Sequence, residues 1–339
     1  MNRLKVSVIM PAYNAAKYIR EAINSLITQT FSNWELIVVD DCSTDNTPNI
    51  ISDYQIQYSN ILYVKLEENS GACYKPREEA CKYASGDFIL FLDSDDYLEK
   101  DYIEKLVKRQ NDTAADAVLG TMTLVTENGV LTGKTIPNRE FDTSLIYSGT
   151  DAFKLTIPWR ISLNGSAFRK HAFQQALIQH EYCFKGVYGD ELCNRRCLLN
   201  SDKVAFSGGI YYYRLNPNSL VHHFSPRIFH IYEAYNDVRE LVQTLFPNDI
   251  DLIQRAESYM ESGFKYAFNK YLDGRNSLNK TERKEYMNRF KEWYALIEWE
   301  KLPPPPRMLS GLFERNGFMM FYHAHLIQHI LQGLKKDQL

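Results

Sequence analysis

Cysteine is scarce in this sequence, and its few copies are widely spaced. The six cysteines stand at positions 42, 73, 81, 183, 193 and 197 of 339 residues. Too few and too scattered, they exclude the disulfide framework of a small secreted domain. Cys193 and Cys197 are one helical turn apart, but no second ligand pair lies nearby at zinc spacing. We therefore expect six reduced thiols in a cytoplasmic protein.

Long hydrophobic runs and a signal peptide are also lacking. No stretch approaches the ~18 apolar residues that cross a bilayer, and the chain runs from Met1 directly into the strand-like segment Val6–Met10. Charge of one sign is not in excess either, because the net charge is −3 and the pI is about 6.3. This balance argues against a nucleic acid as the main partner.

Three kinds of glycine-rich, phosphate-binding loop are missing. Pro11-Ala12-Tyr13-Asn14 follows the first predicted strand, where a dehydrogenase would carry Gly-x-Gly-x-x-Gly and a pyrophosphorylase a glycine-rich loop. The Gly-x4-Gly-Lys-Ser/Thr loop of kinases and ATPases is absent from the sequence. These three enzyme classes are thereby set aside.

The most informative segment that is present joins an apolar run to an acidic cluster. Phe88–Leu92 contains five apolar residues, as in a strand buried on both faces, and Asp93-Ser94-Asp95-Asp96 follows. Unpaired carboxylates are too costly to bury, so they belong at the carboxyl end of the strand, in the crevice where α/β sheets bind ligands. Clustered carboxylates select Mg²⁺ or Mn²⁺, and these ions hold phosphate. The segment predicts a metal-dependent site for a phosphorylated ligand.

Strand and helix patterns alternate through the first hundred residues, which predicts a mostly parallel sheet with flanking helices. The pattern changes after residue 117, where an Asn-Gly turn joins two antiparallel strands, and beyond residue 225 it is almost wholly helical. The predicted early elements are strands Val6–Met10, Glu35–Val39, Ile61–Leu66 and Phe88–Leu92 and helices Lys17–Gln29 and Arg77–Ala84.

Three of these strands end in polar residues of specific types. The first leads to Tyr13, the second to Asp40 and Asp41, and the fourth to the acidic cluster. In a parallel sheet these ends lie at one edge, where a tyrosine can stack on a flat base. An aspartate there can accept a hydrogen bond from an imide N–H, as in uracil, and a carboxylate-bound metal can neutralise a diphosphate. Together they predict a nucleoside-diphosphate pocket.

The segments SVIMPAYN, WELIVVDDCSTDNT and GDFILFLDSDD resemble the signature blocks of family 2 inverting glycosyltransferases with the GT-A fold. The resemblance implies a Rossmann-like GT-A domain with a mostly helical C-terminal extension. It also implies that Asp41 accepts the uracil N3–H, and that Asp95 ligates Mn²⁺ or Mg²⁺ while Asp93 approaches the ribose or the metal. The nucleotide contacts expected on this basis are Pro11, Tyr13, Asp41, Arg77, Asp93 and Ser94.

Two later segments are similar to further blocks of the family. In Tyr188-Gly189-Asp190-Glu191, Gly189 stands where a glutamate is usual, so the resemblance implies Asp190 as the catalytic base, with Glu191 as the alternative. Tyr211–Ser219 is similar to the closing block. His222, or His223, just beyond it would then be a further metal ligand.

Each of these residues also has a purely structural interpretation. Asp93 and Asp95 could cap a helix, as could Asp41 and Asp190. Tyr13 could be a core tyrosine with a bonded hydroxyl, and His222 could lie on the surface. The last helix, near Asn316–Lys336, fits either an interfacial membrane helix or a helix packed on a domain or a dimer partner; we favour packing.

These observations predict a GT-A domain at 1–225, with a nucleotide-binding half at 1–115 and an acceptor half at 116–225, and a helical extension at 226–339. The expected activity is transfer of a sugar from a UDP-sugar to a hydroxyl of a saccharide or lipid-linked saccharide, in surface polysaccharide assembly. The expected location is the cytoplasm, either free or peripheral at the inner face of the membrane. The alternative is a non-catalytic nucleotide-sugar-binding or scaffold protein of such a system.

Overall fold

The computed structural model describes residues 4–137, 142–158, 160–178, 189–216, 225–302 and 317–336. The chain divides into two compact units, Met1–Pro217 and Asn218–Leu339. Within the described residues, all the β-strands belong to the first unit and the second unit is helical.

The first unit is built on a mixed sheet. Its strands are β1 (Val6–Ala12), β2 (Trp34–Asp40), β3 (Ile61–Lys65), β4 (Phe88–Phe91), β5 (Tyr97–Leu98), β6 (Ala117–Val125), β7 (Leu131–Ile136), β8 (Ala167–Arg169) and β9 (Val204–Arg214). Their order is β3-β2-β1-β4-β8-β6-β9-β5, with β7 paired to β6. The predicted α/β sheet is confirmed.

The four strands that carry the predicted site are parallel. β1 pairs with β2 on one side and with β4 on the other, and β2 pairs with β3. Val8, Leu36 and Leu90 are fully buried at the middle of β1, β2 and β4. Burial on both faces explains why these strands are continuous apolar runs rather than alternating ones. The carboxyl ends of the strands therefore meet at one edge.

Helices cover this sheet. They are α1 (Ile19–Ile27), α2 (Thr47–Gln57), α3 (Tyr74–Cys81), α4 (Tyr102–Thr113), α5 (Gly149–Leu155), α6 (Lys170–Ile178) and α7 (Gly189–Leu199). α3 begins at Tyr74, three residues before the predicted start at Arg77. Pro76 is compatible with this earlier start, because it lies in the first turn, where its missing N–H costs no hydrogen bond. Arg77 is therefore one turn inside the helix.

In the part of the second unit that the structure describes, the long helices are α8 (His230–Leu245), α9 (Ile250–Gly274), α10 (Lys280–Leu296) and α11 (Phe318–Lys336). A capping box at Asn279 and Glu282 begins α10. Aromatic rings fill the core between the helices. The ring centre of Phe268 lies 5.1 Å from the ring centres of both Phe290 and Phe321. None of the helices in the described residues is long and apolar enough to span a membrane.

Candidate active site

The ends of β1 and β2 are joined by a network around Asn14. The Asn14 N–H donates to the Ser43 hydroxyl at 2.9 Å, and its side-chain oxygen accepts the Thr44 N–H at 2.8 Å. Asn14 has φ of 48°, a left-handed conformation that asparagine tolerates better than most residues. This turn leaves Tyr13 49% exposed, while Pro11 is buried within β1. Tyr13 is thus a surface ring at the carboxyl edge and not a core tyrosine.

Asp40 and Asp41 have different surroundings. Asp40 is fully buried and accepts hydrogen bonds from the Ser43 N–H and the Tyr63 hydroxyl. Burial, with the charge of Asp40, raises the pKa of Tyr63 to about 12. Asp41 accepts the Ser70 N–H at 2.8 Å through one carboxylate oxygen. Neither aspartate caps α2, which begins at Thr47 after Asn46.

Arg77 lies beside Asp93. Its Nη2 is 3.0 Å from Asp93 Oδ1, and its guanidinium lies 4.8 Å from the centre of the Phe91 ring. Arg77 is 6% exposed, whereas the Asp93 side chain is 29% exposed. The buried cation therefore anchors one end of the acidic cluster and leaves part of Asp93 open to solvent.

Asp95 is half-buried at the same edge, next to the half-buried Ser94. Its Oδ2 accepts a hydrogen bond from Asn216 Nδ2 at 3.0 Å. Burial raises the pKa of Asp95, and the negative charge of Asp93 raises it further. The hydrogen bond from Asn216 lowers the pKa but does not outweigh burial. A carboxylate in this position gains stability from a nearby cation.

Asp96 is a functional candidate that motif reading did not assign. It is 2% exposed, and it accepts the Tyr211 hydroxyl at 2.6 Å and the Arg214 N–H at 2.8 Å. Burial, together with the charges of Asp95 and Asp93, raises the pKa of Asp96. The sequence signal was its place directly after Asp95, but its partners lie more than a hundred residues away.

Arg214, at the end of β9, joins several elements around the acidic cluster. It is 4% exposed and donates to the Asp95 carbonyl, the Glu127 carbonyl and the Glu21 carboxylate. Its guanidinium also lies 5.2 Å from the ring centres of both Tyr18 and Tyr97. Arg214 therefore fixes the backbone of the cluster to α1, to β5 and to the turn between β6 and β7.

The predicted catalytic base belongs to α7. Asp190 and Glu191 are the second and third residues of this helix, in its first turn, and their side chains lie outside what the structure describes. The helix dipole at this end favours negative charge. His222 and His223 also lie outside the described residues.

The Asp93 and Asp95 carboxylates fit a divalent cation only if its other ligands come from outside the described residues, such as from substrate and water. The described residues contain no group of three or more histidine, cysteine or acidic side chains that could hold a metal. Asp93 and Asp95 supply two carboxylates, and Mg²⁺ is commonly bound by one or two carboxylates together with substrate phosphates and water. The pair therefore fits a metal that binds with a diphosphate.

The fold and this edge define an α/β protein with a candidate ligand site at the carboxyl ends of β1, β2 and β4. Residues 7–176, half of the chain, match the model of glycosyl transferase family 2, and the chain belongs to this family. The resemblance seen in the three sequence blocks is thus confirmed.

Two curated relatives cover part of the chain. TarS of Staphylococcus aureus, named a poly(ribitol-phosphate) β-N-acetylglucosaminyltransferase, is 43% identical over 129 residues, which are 38% of this chain and 22% of TarS. TuaG of Bacillus subtilis, named a putative teichuronic acid biosynthesis glycosyltransferase, is 40% identical over 152 residues, or 45% of this chain and 58% of TuaG. In both matches the chain covers less than two thirds of the relative.

A solved structure has a similar fold over almost the whole chain. S. aureus TarS 1–349 in complex with UDP-GlcNAc has a TM-score of 0.69 and 22% identity, covering 97% of this chain and 92% of that one. The GT-A fold predicted for the first unit and the helical region after it are confirmed by this likeness.

Proposed function

We propose that the chain is a metal-dependent inverting glycosyltransferase that moves a sugar from a UDP-sugar to a hydroxyl group. The acceptor is a saccharide or a lipid-linked saccharide of surface polysaccharide assembly. One observation carries the proposal: β1 pairs with both β2 and β4, so the exposed Tyr13, the anchored Asp41 and the Asp93–Asp95 pair share one edge. The names of TarS, a poly(ribitol-phosphate) β-N-acetylglucosaminyltransferase, and of TuaG, a putative teichuronic acid biosynthesis glycosyltransferase, support it.

Each residue at the edge has a role in donor binding. Tyr13 lies beside the uracil with Pro11 beneath it, and Asp41 accepts the N3–H through the oxygen that Ser70 does not use. Arg77 holds Asp93 in place and contributes positive charge near the diphosphate. Asp93, Ser94 and Asp95 would contact the donor, and the carboxylates of Asp93 and Asp95 would hold Mn²⁺ or Mg²⁺ when it binds with the diphosphate. His222 is the candidate for one further ligand.

The reaction that follows is a single displacement. Asp190 takes the proton from the acceptor hydroxyl as that oxygen attacks the anomeric carbon opposite the departing UDP. The bound metal supplies charge stabilisation to the leaving diphosphate. The helix N-terminus at Asp190 favours its ionised form, which is the form a base requires. Because the hydroxyl attacks in line, the anomeric configuration inverts.

The domain limits belong to the same proposal. A GT-A domain at 1–225, with its donor half at 1–115 and acceptor half at 116–225, precedes a helical extension at 226–339. The proposal also includes a cytoplasmic location, free or peripheral at the inner face of the membrane, with the last helix packed on a domain or a dimer partner rather than on lipid; the 5.1 Å between the ring centres of Phe268 and Phe321 supports packing.

The first test is calorimetric titration of UDP into the protein with Mn²⁺, with a chelator, and in Asp95→Ala. We expect micromolar binding with Mn²⁺ that weakens at least about tenfold in the other two cases, the usual effect of a damaged metal site. Asp87→Ala is the matched control, because Asp87 is an exposed aspartate beside the opposite end of β4.

The other outcomes are equally informative. If UDP fails to bind while another nucleoside diphosphate binds, the uracil assignment is wrong and the transferase proposal stands. If no nucleoside diphosphate binds, the donor pocket is wrong. Binding without turnover of any UDP-sugar would favour the nucleotide-sugar-binding scaffold.

A further inference from the structure

A buried carboxylate next to the proposed metal ligands has no part in the proposed reaction. Asp96 is 2% exposed, and both of its oxygens are occupied by donors from β9. At this exposure, and with a donor on each oxygen, Asp96 is not open to a metal ion from solvent. A carboxyl group is buried at low cost only when it has hydrogen-bond partners, and both partners of Asp96 come from β9.

The Tyr211 hydroxyl joins Asp96 to the other end of the acidic loop. It accepts the Asp93 N–H at 3.3 Å and donates to Asp96 Oδ2 at 2.6 Å. Inside the loop, the Asp96 N–H donates to the Asp93 carbonyl at 3.1 Å. The loop is thus closed on itself and fixed to β9 at both ends.

Tyr211 has little freedom to move. Its side chain is 1% exposed, and a Cβ added at Gly165 would lie 2.4 Å from its ring. Gly165 has φ of 69°, a backbone conformation that favours glycine, and a side chain at this position would collide with the Tyr211 ring. The backbone of Gly165 therefore lies close to the ring. The hydroxyl therefore has a fixed location relative to the sheet.

We propose that Asp96 is a positioning residue that acts through Tyr211 to hold the Asp93–Asp96 loop in the conformation that presents Asp93 and Asp95 to a divalent cation. This inference rests on the proposed function. Without the hydrogen bonds of Asp96 to Tyr211 and Arg214, the loop would lose two of its contacts with β9, and the repulsion between the Asp93 and Asp95 carboxylates would favour a more open conformation. Asp96 supplies the fixed geometry, and Asp93 and Asp95 supply the ligand atoms.

The test compares Tyr211→Phe and Asp96→Asn with Tyr102→Phe. Tyr102 is a matched control, because its hydroxyl is also fully buried and donates to the Gly165 carbonyl rather than to the acidic loop. Mn²⁺ binding to the UDP complex is measured by the loss of the free Mn²⁺ signal in electron paramagnetic resonance. We expect about tenfold weaker Mn²⁺ binding in the first two variants and unchanged binding in Tyr102→Phe.

A second measurement needs no ligand. Hydrogen–deuterium exchange of the peptide that covers residues 88–98 should become faster in both variants. Tyr211→Phe removes the acceptor of the Asp93 N–H, and Asp96→Asn removes the carboxylate that holds that acceptor in place. Tyr102→Phe should leave this peptide unchanged. Kinetics add a third readout: kcat should fall and recover at high Mn²⁺, while the KM for the acceptor stays constant.

Either of two results overturns the inference. One is wild-type exchange in the loop of both variants, together with wild-type Mn²⁺ affinity. The other is an equal loss in Tyr102→Phe, which would indicate only general destabilisation. Failure of the wild-type protein to bind UDP with Mn²⁺ would instead count against the proposed function, and the exchange measurement would still decide the role of Asp96.

Discussion

Neighbouring aspartates in this chain have different roles because their surroundings differ. Asp40 is fully buried and bonded to the Ser43 N–H and Tyr63, so it stabilises the loop after β2, whereas Asp41 keeps carboxylate capacity for a ligand. Asp95 and Asp96 differ in the same way, since only Asp96 has both oxygens bonded to β9. In both pairs, a one-residue step separates a carboxylate with both oxygens bonded to the protein from a carboxylate that we propose binds a ligand.

One prediction concerns a single residue, Asp190, and its effect on turnover. Asp190→Asn removes the proposed base and keeps the shape of the side chain, so we expect kcat to fall by a factor of about 10² to 10⁴. UDP affinity should stay the same, because the proposed partner of Asp190 is the acceptor hydroxyl and not the donor. The measurement is release of UDP from a UDP-sugar that the wild-type enzyme uses, alongside calorimetric titration of UDP.

Glu191→Gln is the matched control for this prediction, because Glu191 is the next residue in the first turn of α7. Its activity should remain near that of the wild type. If Glu191→Gln loses turnover and Asp190→Asn does not, Glu191 is the base. If neither variant loses turnover, the assignment of the base to α7 is wrong.

At the scale of secondary-structure elements, side-chain hydrogen bonds join β1 and β2 at the edge of the sheet opposite the candidate active site. Glu35 on β2 accepts hydrogen bonds from Lys5, from Ser7 on β1, and from Ser85. Burial opposes the charged form of Glu35, but these hydrogen bonds outweigh it and lower its pKa to about 2, from 4.5. The carboxylate is therefore a pH-dependent link between the strands.

The link predicts a change in stability with pH. Because the folded-state pKa is the lower one, the stabilisation is complete above the unfolded-state value of 4.5 and is lost as pH falls towards about 2. The difference in pKa corresponds to about 3 kcal/mol, which screening of the partly exposed Lys5 reduces to about 2 kcal/mol. Glu35→Gln should therefore destabilise the protein by about 2 kcal/mol at pH 7 and by less at pH 3.

Urea unfolding at the two pH values measures this difference. Glu104→Gln on α4 is the control, because that glutamate is exposed and should change the free energy of unfolding by less than about 0.5 kcal/mol at either pH. An equal destabilisation by Glu35→Gln at pH 7 and pH 3 would show that the carboxylate charge is not what joins the strands.

Which elements could be predicted from the sequence depends on how local their causes are. The apolar runs of β1, β2 and β4 and the Asn-Gly turn before β7 have local signals, and the structure confirms them. β8 has only three residues and is a strand because it pairs with β4, almost eighty residues earlier. In the same way, Tyr13, Asp41 and Asp95 could be placed at strand ends, while the bonds from Tyr211 and Arg214 to Asp96 depend on long-range pairing.

For the whole molecule, the two units have cores of different kinds. The core of the first unit is mainly aliphatic and lies around the sheet, with residues such as Val8, Leu36 and Leu90. That of the second unit is aromatic, and Phe290 lies within 6.0 Å of the rings of Phe229, Phe264 and Phe268. Separate cores imply that each unit gains most of its stability from its own packing.

Phe290→Ala tests this separation. Loss of a fully buried phenylalanine should cost about 3 to 5 kcal/mol in the second unit and lower the temperature at which it unfolds in scanning calorimetry. UDP affinity, measured below that temperature, should stay the same because the proposed nucleotide contacts and the Asp93–Asp95 pair belong to the first unit, and His222 is the one proposed ligand that does not. Phe173→Ala is the counterpart, since Phe173 packs 5.1 Å from Phe91 on β4 and its loss should destabilise the first unit. If Phe290→Ala weakens UDP binding as much as Phe173→Ala does, the two cores are coupled, and the helical region takes part in forming the donor site.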